Sequence, residues 1–204
     1  MLVKKDNLQG DYCLFHWKDE APDWCLDIFP APLRARQHAS SRQALAELLN
    51  SKNISLDSDR IEIINYHNIK GFPDQLCSLS HTKDGWAVAL INNHEKVLAV
   101  GIDLEFANRS FKSETKKLFV NDQDNHQELL KLWCQKEAAF KAIFPLLTRD
   151  ILNKAFVLKD IFIKNNKFGL LKDGIILGFL DSEIVKHQGE EFLITTAFVS
   201  IKPI

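Results

Sequence analysis

The spacing of apolar residues changes along the chain between a helical period and the alternation of strands. Residues 33–49 carry apolar side chains at helical spacing, which predicts a helix, with Ser40 and Ser41 as capping residues if it begins late. The segments LCSLSH, GWAVALIN and VLAVGIDLEF predict three strands, which we expect to be antiparallel neighbours. Because WAVALI is apolar at every position, we expect that strand to be central and covered on both faces.

The second half of the chain repeats this order of a helix followed by strands. Residues 112–120 and 127–144 have helical patterns, and the second pattern stops before Pro145. The segments AFVLKDIFI, FGLL, IILGFL and FLITTAFVSI then predict strands separated by NN, DG and HQGE turns. The pattern predicts an α+β protein built from two similar α+β units, which we place at 1–98 and 99–204.

The composition of the chain limits which cellular location and which classes of partner we expect. The 26 Lys and Arg and the 27 Asp and Glu give a net charge of -1, so bulk charge favours neither nucleic acid nor an anionic membrane as partner. The N-terminus lacks an apolar run of signal-peptide length, and no stretch approaches the roughly 18 apolar residues of a membrane span. We expect a cytoplasmic protein without a membrane partner. The four cysteines never form C-x-x-C and are interpreted as buried thiols.

The first candidate for chemistry is GIDLE at the end of an apolar strand. Side chains alternate across a strand, so Asp103 and Glu105 share one face about 7 Å apart. Two like charges at this distance suit a hard cation held by oxygen ligands. A solvated strand edge with two acids is the alternative reading.

The second candidate is the helical segment LWCQKEAAFKAIF. Trp133, Glu137 and Lys141 form one stripe at spacings of four, with Lys136 and Phe140 on the adjoining row. The stripe aligns an acid and a base with an aromatic anchor. Taken alone, Glu137 and Lys141 are also an ordinary stabilising helix pair worth about 0.2–0.5 kcal/mol.

Two further segments suggest a local anion site. The strand-end sequence SLSH places Ser80 beside His81, where they either hold an anion or cap the turn. Residues 30–43 carry several basic side chains and no acid, and these either bind phosphate oxygens or are solvated. They are Arg34, Arg36, His38 and Arg42.

In combination, the segments SLSH, GIDLE and WCQKEAAFKA resemble the motifs of the 4′-phosphopantetheinyl transferases, specifically the larger single-chain class. The resemblance is close over about residues 33–144. It implies a pseudo-twofold α+β fold with coenzyme A bound in the cleft between the halves. It also implies transfer of the phosphopantetheine arm of coenzyme A to a serine of an apo acyl or peptidyl carrier protein, which releases adenosine 3′,5′-bisphosphate.

The resemblance also implies roles for the acidic residues and the helical lysines. Asp103, Glu105 and Glu137 would hold Mg²⁺ on the pyrophosphate, and Glu137 would take the serine proton. Lys141 would protonate or stabilise the leaving bisphosphate. Lys136 would contact phosphate or a carboxylate.

Its remaining assignments concern the coenzyme. Arg42 and His81 match positions that hold the 3′-phosphate, with Ser80 beside them. Many relatives carry a cation where this chain has Phe72, and Lys70 is the candidate to replace it. In the stretch where relatives often carry a further Glu, LFVNDQDN offers Asp122 and Asp124, which we do not count as metal ligands.

Two other functions are consistent with the same residues. One is a degenerate relative that binds coenzyme A or a carrier protein without transfer, for which the Phe72 departure is the reason. The other is a metal-dependent phosphohydrolase, which would release free 4′-phosphopantetheine with no carrier present. Two halves in one chain make a partner subunit unnecessary, so we expect a monomer.

Overall fold

The computed structural model of the chain describes residues 1–5, 9–124, 128–147, 156–172 and 174–200. The chain divides into two compact units, Met1–Asn93 and His94–Ile204. Each unit packs a long helix on an antiparallel sheet, so the predicted α+β class is confirmed. None of the helices in these ranges is both long enough and apolar enough to cross a membrane.

The described part of the first unit forms one antiparallel sheet with two helices. Its strands are β1 Leu2–Val3, β2 Asp11–His16, β3 Ile63–Ile64, β4 Asn68–Ile69, β5 Phe72–His81 and β6 Trp86–Asn92. They lie in the order β1-β2-β6-β5-β4-β3. Its helices are α1 Asp23–Ile28 and α2 Pro32–Asn50, and a 3-10 turn spans Ser58–Arg60.

Helix α2 confirms the helix predicted for residues 33–49. It begins at Pro32, whose fixed φ suits the first helical position. Ser40 and Ser41 therefore lie inside the helix instead of capping it, and their hydroxyls donate to the carbonyl oxygens of Arg36 and Gln37. The buried leucines of α2 pack with β-strand residues in a single core.

Strand β6 is buried along its whole length and lies between β2 and β5, as the WAVALI pattern predicted. The predicted pairing of β6 with the next strand is wrong. That strand, β7 Val97–Phe106, pairs with β11 Glu190–Ser200 in the second sheet. The physical reason is that both edges of β6 are already hydrogen-bonded, to β2 and to β5.

The second sheet also contains β8 Ile161–Lys164, β9 Lys167–Leu170 and β10 Ile175–His187, in the order β7-β11-β10-β9-β8. These strands confirm the β-rich reading for FGLL, IILGFL and FLITTAFVSI. Of the strand predicted for AFVLKDIFI, only residues 161–163 lie in β8, because residues 158–160 form a 3-10 turn; residue 155 lies outside the described residues. The helix predicted for 127–144 is α4 Leu129–Ile143, and residue 127 lies outside the described residues. The helix predicted for 112–120 is shorter: a 3-10 turn at Ser113–Thr115 followed by α3 Lys116–Phe119. Further 3-10 turns lie at Phe144–Leu146 and Leu158–Asp160.

Gly101 sets the distance between α4 and β7. A Cβ atom on Gly101 would lie 1.9 Å from the carbonyl oxygen of Ala138 and 2.8 Å from the amide nitrogen of Ala142. Both of these are backbone atoms of α4, so no rotamer change can make room. The glycine of GIDLE thus allows the helix to lie directly on the strand that carries the two acids.

Candidate active site

Asp103 and Glu105 lie on the face of β7 that α4 covers. Asp103 is 5% exposed and contacts Lys141 of α4, and Glu105 contacts Trp133 of the same helix. This is the shared face that strand alternation predicts. The two motifs, which are separated by about thirty residues in sequence, therefore meet at one place in the second unit.

Lys141 is the cation that pairs with Asp103. Its Nζ donates to Oδ1 of Asp103 at 2.9 Å and to the backbone carbonyl oxygen of Ile102, also at 2.9 Å. The Lys141 side chain is 27% exposed, whereas that of Asp103 is 7% exposed. A carboxylate removed from water needs a hydrogen-bonded countercharge, which Lys141 supplies from the last turn of α4.

Glu105 is held from two sides. The Trp133 indole N–H donates to Oε1 of Glu105 at 3.0 Å, and the Arg109 guanidinium forms an ion pair with the same oxygen. Burial raises the pKa of Glu105, and its hydrogen bond with Arg109 opposes the rise. Arg109 also lies over the rings of Phe111 at 4.8 Å and Trp133 at 5.4 Å.

Sequence reasoning missed Arg109. Its one signal is a basic side chain four residues after Glu105, just beyond the end of β7. That spacing pairs side chains on a helix, but this segment is not helical, so the pattern did not predict the contact.

Glu137 lies one helical turn before Lys141 and is partly buried. Burial raises its pKa most, and the negative charges of Asp103 and Glu105 raise it further, while Lys141 and Arg109 oppose the rise. With the described residues its carboxylate forms no hydrogen bond or ion pair. Of the three acids, Glu137 is therefore the one whose carboxylate is open to accept a proton or to bind an ion.

The three acids suit a hard divalent cation by their chemistry. Carboxylate oxygens are the donors that Mg²⁺ prefers. Besides burial, neighbouring negative charges raise the pKa of Glu105 and of Glu137, and a bound cation would relieve that repulsion. Their present arrangement is not a preformed metal site, because among the described residues no three His, Cys, Asp or Glu side chains lie close enough together to hold a metal ion. Lys141 and Arg109 hold two of the three acids, so a metal ion would have to exchange with these side chains.

Lys136 occupies a different place from the other motif residues. Its side chain is fully buried, and its Nζ lies 2.7 Å from Oδ2 of Asp124 and 2.5 Å from the carbonyl oxygen of Phe119. Asp124 also accepts hydrogen bonds from the backbone amides of Asn121 and Ile163. This geometry favours a structural role, in which Lys136 fixes the 121–124 loop between α4 and β8.

The first unit brings together Arg42 and His81, with His38 as a third member. Burial lowers the pKa of Arg42, and His38 interacts electrostatically with both Arg42 and His81. The rings of Trp24 and Phe29 lie 5.7 Å and 5.0 Å from the His38 ring. With the described residues the Arg42 guanidinium forms no hydrogen bond or ion pair. The cluster therefore places the Arg42 guanidinium beside two imidazole rings, side chains that can donate hydrogen bonds to an anion.

The other predicted coenzyme contacts have different surroundings. Ser80 is 7% exposed and lies next to the exposed His81 at the end of β5. Lys70 pairs with Oε2 of Glu62 at 2.6 Å, and both side chains are more than half exposed. Arg36 donates to the carbonyl oxygen of Lys83 at 3.1 Å.

The environment of His38 predicts a pH dependence of stability. Burial, followed by the charges of Arg42 and His81, lowers the pKa of His38 from 6.5 to about 4. Between these two pH values the unfolded chain therefore binds one proton that the folded chain does not. The contribution of His38 to the free energy of unfolding is fully present above pH 6.5 and is lost as the pH falls to 4. We expect a loss of about 2 kcal/mol, allowing for solvent screening of a partly exposed ring.

Urea unfolding at several pH values measures this dependence. In His38→Gln the difference in unfolding free energy between pH 7 and pH 4.5 should shrink by that amount relative to the unmodified protein. An identical pH dependence in both proteins would show that His38 titrates normally.

Comparison with known protein families gives a match within the second unit. Residues 99–197 match the model of the 4′-phosphopantetheinyl transferase superfamily. This stretch, which contains both acidic motifs, is similar to that superfamily. A search of curated proteins found no match to the chain. Proteins of this superfamily are phosphopantetheinyl transferases, which are enzymes that act on coenzyme A and carrier proteins.

Proposed function

We propose that the protein is a Mg²⁺-dependent transferase that moves 4′-phosphopantetheine from coenzyme A to a serine of an apo acyl or peptidyl carrier protein. The observation that carries the proposal is the meeting of Asp103, Glu105, Glu137 and Lys141 at one face of β7, inside the stretch that matches the superfamily. The GIDLE motif of β7 and the WCQKEAAFKA motif of α4 thus form one site that contains both carboxylates and an ammonium group.

The proposed chemistry uses Glu137 and Lys141 directly. The serine oxygen forms a bond to the phosphorus on the pantetheine side of the pyrophosphate, and the bond to the departing adenosine 3′,5′-bisphosphate breaks. Glu137 accepts the serine proton, since its raised pKa brings it closer to the working pH of a general base. The Lys141 ammonium stabilises the charge that grows on the leaving phosphate.

The metal assignment follows from the donor set. We propose that Asp103, Glu105 and Glu137 hold Mg²⁺, which when bound neutralises pyrophosphate charge. Lys141 and Arg109 would then be released from Asp103 and Glu105. Released cations of this kind remain beside the site, where they suit phosphate oxygens.

In the first unit, we propose that Arg42 and His81 hold the 3′-phosphate of coenzyme A, with Ser80 beside them. A half-buried guanidinium without a countercharge among the described residues supports this assignment. Lys70 stays the candidate for the cation that Phe72 replaces. Lys136 is left out of the coenzyme site because its ammonium is buried against Asp124.

Arg42→Gln tests the assignment of the 3′-phosphate. A lost hydrogen bond to a charged group costs about 1.5–3 kcal/mol, so we expect KM for coenzyme A to rise roughly 10-fold to 100-fold. KM for 3′-dephospho-coenzyme A should change little, because this substrate lacks the group that Arg42 binds. Equal changes with both substrates would place Arg42 elsewhere.

The release of adenosine 3′,5′-bisphosphate tests the reaction. Chromatography should detect this product when the protein, coenzyme A, Mg²⁺ and apo carrier are all present, and not when carrier is omitted. Release of free 4′-phosphopantetheine without carrier would identify water as acceptor and contradict the transferase.

A further inference from the structure

Ion pairs hold α4 towards both edges of the second sheet. The sheet ends in β7 on one side and in β8 on the other. On the β7 side, Lys141 of α4 pairs with Asp103 of the strand itself. On the β8 side, Lys136 of α4 pairs with Asp124, and Asp124 in turn binds the backbone of β8. The helix is therefore anchored at two places that lie at opposite ends of the strand order.

The anchor on the β8 side is a loop whose side chains take the place of a further strand. Asp124 Oδ1 accepts a hydrogen bond from the Ile163 amide at 3.0 Å. Asn121 Nδ2 donates to the carbonyl oxygen of Ile161 at 2.8 Å. In the described part of the sheet β8 pairs with β9 alone, so these two side chains bind backbone groups that a strand edge otherwise leaves open. The 121–124 loop is thus fixed to the sheet and holds the Asp124 carboxylate in place.

The pair formed by Lys136 and Asp124 is removed from water. Their side chains are 0% and 2% exposed, and Lys136 Nζ lies 2.7 Å from Asp124 Oδ2. The same ammonium donates to the carbonyl oxygen of Phe119, and the same carboxylate oxygen accepts from the amide of Asn121 at 2.8 Å. A buried pair is sound only when further hydrogen bonds of this kind complete it. These bonds fix the geometry of the anchor.

The two lysines leave α4 in nearly opposite directions. A helix turns about 100° per residue, so side chains five positions apart, as in Lys136 and Lys141, differ by about 140°. Rotation of α4 about its axis would therefore strain both ion pairs. Glu137 precedes Lys141 by four residues and lies on the same side of the helix. The place of Glu137 at β7 thus depends on the rotation that the two anchors set.

We propose that Lys136 and Asp124 are positioning residues, which hold α4 at the rotation that the transfer reaction requires. The proposal rests on the roles that the proposed function gives to Glu137 and Lys141. In that reaction the Lys141 ammonium serves the leaving phosphate, so the buried pair is the anchor that continues to hold the helix. Lys136 is 0% exposed and cannot touch substrate, so it acts through α4.

Two variants separate positioning from stability. Lys136→Met leaves the Asp124 carboxylate buried without its countercharge, so we expect a lower urea midpoint. The double variant Lys136→Met/Asp124→Asn buries no charge and should recover most of that midpoint. Neither protein can form the ion pair. Under conditions where circular dichroism shows each to be folded, we expect both to lower kcat by about 10-fold to 100-fold and to leave KM for coenzyme A unchanged.

Ile163→Ala is the control on the same strand. The Ile163 side chain is 0% exposed and belongs to the core beneath α4, so its truncation should also lower the urea midpoint. The backbone amide that donates to Asp124 is kept. This variant should therefore lose stability and retain kcat.

The double variant decides between the two roles of the pair. Recovery of kcat together with the urea midpoint would overturn the proposal, because the pair would then contribute only stability. An equal loss of kcat in Ile163→Ala would also overturn it, since any disturbance of this core would then suffice. If Lys136→Met does not fold, the double variant gives the answer alone. Absence of transfer by the unmodified protein would instead overturn the proposed function, and that result is distinct from any difference between variants.

Discussion

Glu137→Gln is expected to lower kcat for phosphopantetheine transfer by roughly 10²–10⁴-fold. The amide keeps the size of the side chain but can neither accept the serine proton nor contribute a negative charge to the three-carboxylate site. Because Asp103 and Lys141 remain, the loss isolates the role of Glu137. Initial rates of carrier modification at saturating coenzyme A and Mg²⁺ measure it.

The same variant is expected to fold at least as well as the unmodified protein. Burial and neighbouring negative charge raise the pKa of Glu137, so its charged form costs folding free energy at neutral pH. The variant should therefore melt at the same or a slightly higher Tm. Glu190→Gln, at the exposed first residue of β11, is the control and should change neither kcat nor Tm. Activity of Glu137→Gln within threefold of normal would remove Glu137 from the chemistry.

Gly101→Ala is expected to destabilise the second unit by about 4 kcal/mol or more, or to prevent its folding. The new Cβ atom would lie 1.9 Å from a backbone carbonyl oxygen of α4, and a clash with backbone is relieved only by moving the helix. Movement of α4 would also separate Lys141 from Asp103. Loss of activity should thus accompany the loss of stability.

Gly71→Ala is the matched control for this change. In Gly71→Ala the new Cβ atom would have nothing within 4 Å of it. The substitution would be disfavoured only by the backbone, whose φ of +84° is a conformation that residues with a side chain rarely adopt. Backbone strain of this kind costs about 1–2 kcal/mol. Urea unfolding can follow Trp133, which is the only tryptophan of the second half of the sequence. Similar midpoints for both alanine variants would mean that α4 does not rest on Gly101.

Local pattern predicted most of the elements. Alternation placed Asp103 and Glu105 on a common face, and the apolar run of β6 predicted its central position. The NN turn between β8 and β9 is also confirmed, with Asn165 and Asn166 both at positive φ. These features depend on neighbours in sequence, which a pattern records directly.

The errors concern contacts between distant segments. The pairing of β7 depends on which strand edges are already used, which no local pattern records. The burial of Lys136 depends on Asp124, twelve residues earlier in a loop, so helical spacing alone could not reveal it.

The most direct test of the proposed transferase is the intact mass of an apo carrier protein after incubation with this protein, coenzyme A and Mg²⁺. Parallel samples contain a chelator, the Glu137→Gln variant, or a carrier whose acceptor serine is replaced by alanine. We predict a gain of one phosphopantetheine arm in the complete sample and no gain in the three others. An unchanged mass across several apo carriers, despite measurable binding of coenzyme A, would contradict transfer and leave a protein that binds the coenzyme without using it.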